Sequence, residues 1–306
     1  MTPTWHRWTE RPGFGLLLGL AGALAITPDT LFMRLSGMEG WAMLAWRGVL
    51  CGLVLGSLWL VFAKNRQQDC RILISRYGIG ACLAGGLGGM FFTLAVAETS
   101  VVLVLVCLAV SPVFAALISR LLLGEQTYAA TWLVIAVAFG GVALAVLDAE
   151  AVKMVTRQGG GSVLLGAGFA LMAALLIGAN FVCLRADPRI NVVLATAAGT
   201  LFSGLVGLAL AAPASLWEGD PLMISISGAL ILPLSFFCLT SATRYTQAAN
   251  ISLLMILETV LGPVWVWLFV GEQPGNRALL GGLIVVSALI FYIRYMVRKS
   301  QARAHG

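Results

Sequence analysis

Leu257-Glu-Thr-Val-Leu-Gly-Pro-Val-Trp-Val-Trp-Leu-Phe-Val-Gly-Glu-Gln273 decides how this chain must fold. Between Glu258 and Glu272 there is no charged side chain, and the apolar residues run on without alternation. With Ile251–Ile256 ahead of it, the run reaches the roughly 20 residues that a membrane-crossing helix needs. Only helices and closed barrels satisfy every backbone group in hydrocarbon, and a barrel strand would alternate apolar with polar. The stretch therefore reads as a spanning helix with a carboxyl group near mid-depth. A charge there costs several kcal/mol unless it is paired or hydrated, so Glu258 is a functional candidate by default.

The rest of the chain follows the same pattern. Of 306 residues, 60% are hydrophobic and 10% charged, against about 25% charged in an ordinary soluble domain. Mean hydropathy is +0.96, which excludes a water-soluble globular protein. Ten apolar segments can be marked, at 14–35, 41–63, 79–97, 100–122, 131–148, 162–184, 192–212, 222–241, 248–270 and 278–297. Arg7 and Arg11 before Phe14–Ile26 have the outline of a signal peptide. Thr30 to Leu35 extends that segment to spanning length, so a first span is expected rather than a cleaved leader.

The net charge of +6 is no nucleic-acid footprint, because the basic residues lie between apolar runs. With the N-terminus on the inside, fourteen Lys and Arg fall on inner segments. Five (Arg34, Arg47, Lys153, Arg157 and Arg277) fall on outer ones. The positive-inside rule then places both termini in the cytoplasm and the chain in the inner (plasma) membrane as a multi-pass protein. The six cysteines show no CxxC spacing, and His6 and His305 lie at the ends. Neither a metal site, a disulfide framework nor a cofactor is expected. Nothing matches a phosphate-binding GxxxxGK[ST] loop, so energy must come from gradients.

The opening stretch has an echo. Ser111-Pro-Val-Phe-Ala-Ala-Leu-Ile-Ser-Arg-Leu-Leu-Leu-Gly-Glu-Gln126 ends a fourth span, as Leu257–Gln273 ends a ninth. Ser111 and Glu258 each stand thirteen residues before the glycine of Gly-Glu-Gln. Asp29 precedes Arg34 by five residues, as Asn180 precedes Arg185. The Gly159-Gly160-Gly161 linker divides the chain into units at 1–150 and 151–306. Five spans per unit is an odd number, so the second unit must be inverted relative to the first, a plan that puts a substrate site between the repeats. The expected fold is all-α and membrane-integral, ten transmembrane helices in two inverted five-helix repeats.

On those two stretches the chain resembles the drug/metabolite transporter superfamily, in its EamA branch of paired five-helix repeats. The resemblance covers nearly the whole chain. It implies a carrier of small polar metabolites such as amino acids, commonly exported. One departure is Thr259, where the family often has Pro; Pro263 lies one turn on, so any break in that helix should be displaced toward it.

Seven residues are candidates for binding or coupling. Asp29 and Arg47 lie about seven residues from the outer ends of spans one and two, roughly 10 Å deep at 1.5 Å per residue. They can therefore meet, either as a structural ion pair or as a cavity-lining pair that exchanges for a charged substrate. Glu258 serves as a proton or cation site or as a packed, hydrogen-bonded acid. Thr93, Ser111, Asn180 and Trp265 are mid-span polar groups, which serve either a cavity or helix association. Trp265 and Trp267 point to different faces, so at most one faces a cavity. Glu125 and Glu272, each after a glycine suited to a left-handed cap, read as helix-terminal charges. Pro112, Pro233 and Pro263 mark places where helices can break.

The expected function is a secondary transporter working by alternating access, with a small-molecule substrate, the lipid bilayer and a proton or cation as partners. The rivals are a membrane-embedded enzyme, a channel, and an importer of the same substrates. No HExxH, GxSxG or intramembrane His supports an enzyme.

Overall fold

The computed structural model describes residues 14–124, 129–147, 161–242 and 248–304. All regular structure among them is helical. In chain order the helices are α1 (Phe14–Ile26), α2 (Asp29–Ser36), α3 (Gly40–Phe62), α4 (Arg66–Leu73), α5 (Arg76–Glu98), α6 (Val101–Leu108), α7 (Ser111–Leu123), α8 (Ala129–Val146), α9 (Val163–Ala186), α10 (Val192–Leu210), α11 (Pro221–Ile226), a π turn at Ser227–Ile231, α12 (Leu232–Ala242), α13 (Ala248–Val270) and α14 (Asn276–Ala304). Seven stretches are long and apolar enough to cross a bilayer, and Ala136–Val146, Leu257–Val270 and Asn276–Ala288 are shorter apolar helices. The chain is a multi-pass membrane protein. By length and composition its described residues give seven spans rather than the ten expected.

Three spans depart from plain α-helix. The first breaks at Thr27-Pro28, where Pro28 precedes α2 and Thr27 Oγ1 donates to the Leu24 carbonyl at 2.9 Å. The fourth breaks at Ala109-Val110, just ahead of Ser111-Pro112. Proline belongs in the first turn of the new helix, where its missing N–H costs nothing. The Pro221–Ala242 stretch is not broken at Pro233 but widened at 227–231 into a π turn just upstream, the usual way one extra residue is absorbed inside a helix. Helix α13 departs from expectation in the other direction: it runs unbroken through Pro263.

Small residues set the closest crossings, as is usual where no hydrophobic gradient drives helices together. Added Cβ atoms at Gly48 and Gly52 of α3 would sit 2.6 Å from Gly204 Cα and 2.7 Å from Leu201 Cβ of α10. At the α5–α10 crossing, a Cβ on Gly86 would strike the Gly199 carbonyl. Gly141 of α8 and Gly281 of α14 each press on the other's carbonyl. Further neighbours are α9 with α5 and α7, and α1 with α12 and α13. Helix α6 is enclosed on all sides, with Val101–Cys107 each at most 5% exposed, the pattern of a helix apolar all round. The bundle end holding Ser36, Glu98 and Val270 is the far face, and the end holding Phe62, Arg76 and Ala186 the near face.

Candidate functional site

Asp29 is the first residue of α2, directly after the Thr27-Pro28 break, and is 1% exposed. Its carboxylate sits at the positive end of the helix dipole. Arg47 of α3 pairs with it: Nη2 donates to Asp29 Oδ2. The guanidinium is engaged further, with Nη1 donating to Thr93 Oγ1 at 3.2 Å, Nε donating to Ser227 Oγ at 3.3 Å, and Cζ lying 5.3 Å from the centre of the Phe92 ring. Thr93 in turn donates to the Gly89 carbonyl at 2.9 Å. Ser227 closes the circuit by donating to Asp29 Oδ1 at 2.5 Å. Four helical segments from both ends of the sequence thus converge on one buried acid–base pair.

Ser227 was not legible as a site residue. It is the first residue of the π turn, and the extra residue there swings its hydroxyl toward α2 and α3. The neighbouring Gly228 lets the turn close on α3, since a Cβ there would lie 2.9 Å from Arg47 Cα. The signal available in the sequence was Ser225-Ile-Ser-Gly228, a polar interruption of an apolar run shortly before Pro233.

Glu258 is 6% exposed and within electrostatic reach of both Asp29 and Arg47. One turn along α13, Gly262 faces the broken span, its Cβ position 3.4 Å from Thr30 Oγ1. Two turns along, Trp265 Nε1 donates to Thr27 Oγ1 at 3.1 Å. Residues 258, 262 and 265 therefore share the face of α13 that lies along the α1–α2 break. The buried Thr30 hydroxyl has no hydrogen-bond partner among the described residues. An ionised Glu258 beside Asp29 and Arg47 would leave the cluster with one net negative charge. The cluster thus sets a second buried acid beside an acid–base pair whose hydrogen bonds are internal to the protein.

The other candidates fall elsewhere. Asn180 Nδ2 donates to the Ala81 carbonyl at 2.7 Å and packs on Gly85, fastening α9 to α5. The Ser111 carbonyl lies against Gly178 at the α7–α9 crossing. Both hold helices together rather than join the Asp29 cluster. Trp267 is 48% exposed, so Trp265 is the inward member of the pair. Glu125 lies outside the described residues.

Glu272 departs from expectation. It does not serve the helix that follows it. Its Oε1 accepts the Val101 N–H at 2.8 Å, at the start of α6, and its Oε2 lies 3.1 Å from Arg34 Nε. Arg34, read in the sequence as a topology charge and as part of the repeat echo, was the missed partner. Among the described residues no group of three or more His, Cys, Asp or Glu could hold a metal ion.

Comparison with known proteins bears on the family and the fold. The EamA-like transporter family matches residues 13–147 and 164–294. A protein named riboflavin transporter, from Rhizobium johnstonii (strain DSM 114642 / LMG 32736 / 3841), is 25% identical over 239 residues, covering 76% of this chain and 72% of that protein. A solved structure described only as "Crystal structure of protein" superposes with a TM-score of 0.60 at 16% identity, covering 94% of this chain and 98% of the other, a likeness of fold alone. The two family matches together span most of the sequence, and the chain belongs to the EamA-like transporter family of the drug/metabolite transporter superfamily.

Proposed function

We propose that this protein is a secondary transporter that exports small zwitterionic metabolites of the amino-acid class across the inner membrane by alternating access. The observation that carries the reading is the buried Asp29–Arg47 pair, bridged by Ser227 and faced by Glu258. A carboxylate and a guanidinium held together in a membrane interior match the ammonium and carboxylate of an amino acid, which can take their places. Glu258 supplies a proton or cation site beside them.

The packing of the helices supports two inverted repeats, 1–150 and 151–306. Spans two and seven pack on each other (α3 on α10), and so do spans five and ten (α8 on α14). Span three packs on span six (α5 on α9) as span eight packs on span one (α12 on α1), and span four on span six as span nine on span one. That is the pattern a two-fold axis in the membrane plane generates. The excess of Lys and Arg on inner segments supports cytoplasmic termini, which makes the far face the outer one. The family and the riboflavin-named relative both point to a transporter rather than an enzyme.

Counterflow in proteoliposomes tests the reading, with labelled amino acids as the panel and riboflavin as a further arm. Saturable exchange of at least one amino acid is expected, accelerated by a pH gradient in the wild type and insensitive to it in folded Glu258→Gln. Flux without saturation or counterflow would indicate a channel. Exchange of riboflavin alone would overturn the substrate class, and unchanged pH dependence in Glu258→Gln would overturn the proton site.

A further inference from the structure

Three junctions meet at the far face: the end of α2, the Thr99-Ser100 turn between α5 and α6, and the Gly271–Gly275 turn between α13 and α14. Two side chains join them. Glu272, 1% exposed, accepts the Val101 N–H and pairs with Arg34, while Arg34 Nη2 donates to the Thr99 carbonyl. Gly271, at φ 76°, turns the chain so that this carboxylate can reach the start of α6. The anion lies on the positive end of a helix dipole as well as on the guanidinium, so two charges hold it.

The pair connects to the central site through a single eight-residue helix. Helix α2 begins with Asp29 in the central cluster and carries Arg34 in its last turn. It is separated from α1 by the Thr27-Pro28 break, so it can turn without carrying the rest of its span. At the far face the pair ties the α2 and α5–α6 junctions, early in the chain, to the α13–α14 turn, late in it. Movement of one half against the other at this end must part them. A cavity of about 10 Å³ lies beside Ser100, Glu272, Gln273 and Pro274. That is about the volume one water needs, so solvent can take the place of a departing partner.

We propose that Arg34 and Glu272 are the far-face gate of the transport cycle. Joined, they close the Asp29–Arg47 site to the far side. Parted, they free α2 to turn about the Thr27-Pro28 break and open the site there. They act by positioning α2 and need not touch substrate. The proposal rests on the alternating-access reading above.

Hydrogen exchange on the intact protein in lipid nanodiscs distinguishes a gate from a brace. In Glu272→Gln, residues 99–104 should lose protection on the order of tenfold, as expected for a local opening. A gate also predicts the reciprocal change: residues 65–79 and 188–194 at the near face gain protection, because opening one side closes the other. Loosening at the far face with no near-face change would reduce the pair to a structural brace and overturn the proposal. No change at either face would overturn it as well. Should Glu272→Gln fail to fold, Arg34→Lys is read the same way, since it keeps the charge but loses the fork that reaches both Glu272 and Thr99. Wild-type protein that shows no counterflow would sink the transport reading, whereas a brace-only exchange pattern beside normal counterflow would sink the gate alone.

Discussion

The two faces of the bundle are fastened in different ways. At the far face, side chains and turns from early in the sequence bind partners from late in it. Arg34 meets Glu272, the Ser162 N–H donates to Glu98 Oε2 at 3.1 Å, the Asp220 N–H donates to the Ser36 carbonyl at 2.7 Å, and Trp46 Nε1 donates to the Leu216 carbonyl at 2.8 Å. At the near face, among the described residues, the ties centre on Asp69 of α4. It accepts from Trp59 Nε1 and from Asn191 Nδ2, each at 2.8 Å. Helix α4 itself has no buried residue. One face is thus locked by buried charge and backbone, the other strapped by a surface helix through one partly exposed carboxylate. A carrier whose far side is shut and whose near side is easier to open would be built this way.

The sharpest way to break this contrast is to attack the point between the faces. Arg47→Gln leaves Asp29 buried without its counter-charge, and removing one member of a buried pair costs about 3–5 kcal/mol. Because α2 hangs from Asp29, melting in detergent should show this loss, and the far face should loosen with it. A variant that melts like wild type would mean that α2 is held by the far face alone. A smaller effect belongs to the near face. Asp69→Ala removes the acceptor shared by Trp59 and Asn191 and should cost roughly 1 kcal/mol, since part-exposed hydrogen bonds contribute little net stability. Emission from Trp59 should shift as well. A loss as large as that of Arg47→Gln would show that the near face is as firmly closed as the far one.

The smallest expected effect also lies at the near face, and it depends on pH. Arg189 holds the Asp187 carboxyl below the usual carboxylate range, chiefly by its side-chain hydrogen bond; desolvation opposes this, and the Arg189 N–H and charge add smaller lowering effects. A lowered folded-state value stabilises above the unfolded value, near 3.9, and that stabilisation fades as pH falls through the folded value. Melts of Arg189→Gln and wild type should therefore differ slightly at pH 6 and converge below about pH 4. A gap that widened in acid would reverse the sign and remove this pair from the account.

Much of the fold was open to reading because hydrocarbon leaves few choices. The apolar runs fixed helices and their approximate ends. The equal depths of Asp29 and Arg47 foretold that they could meet, and alternate positions foretold that Trp265 and Trp267 would part. What escaped depended on local backbone geometry. Ser227 reaches Asp29 only because the helix widens at that turn, and no hydropathy pattern registers one extra residue. Glu272 reaches Arg34 only because Gly271 turns the chain, so neighbours in sequence gave no hint of its partner. Asn180 and Ser111 were indistinguishable from site residues by position, because the same polar types that line cavities also fasten helices. Pro263 failed as a breaker because α13 continues through it.

The π turn at Ser227–Ile231 has a consequence for how the two halves are compared. A helix advances 100° per residue, so one additional residue rotates everything beyond it by that angle unless the turn widens to absorb it. Residues 221–226 and 232–242 thus keep their facing only with an offset between them. If the halves are repeats as proposed, a gap-free alignment of this segment to 76–98 will be correct on one side of residue 227 and slipped by one position on the other. Any hunt for matched residues between the halves should open a single-residue gap there.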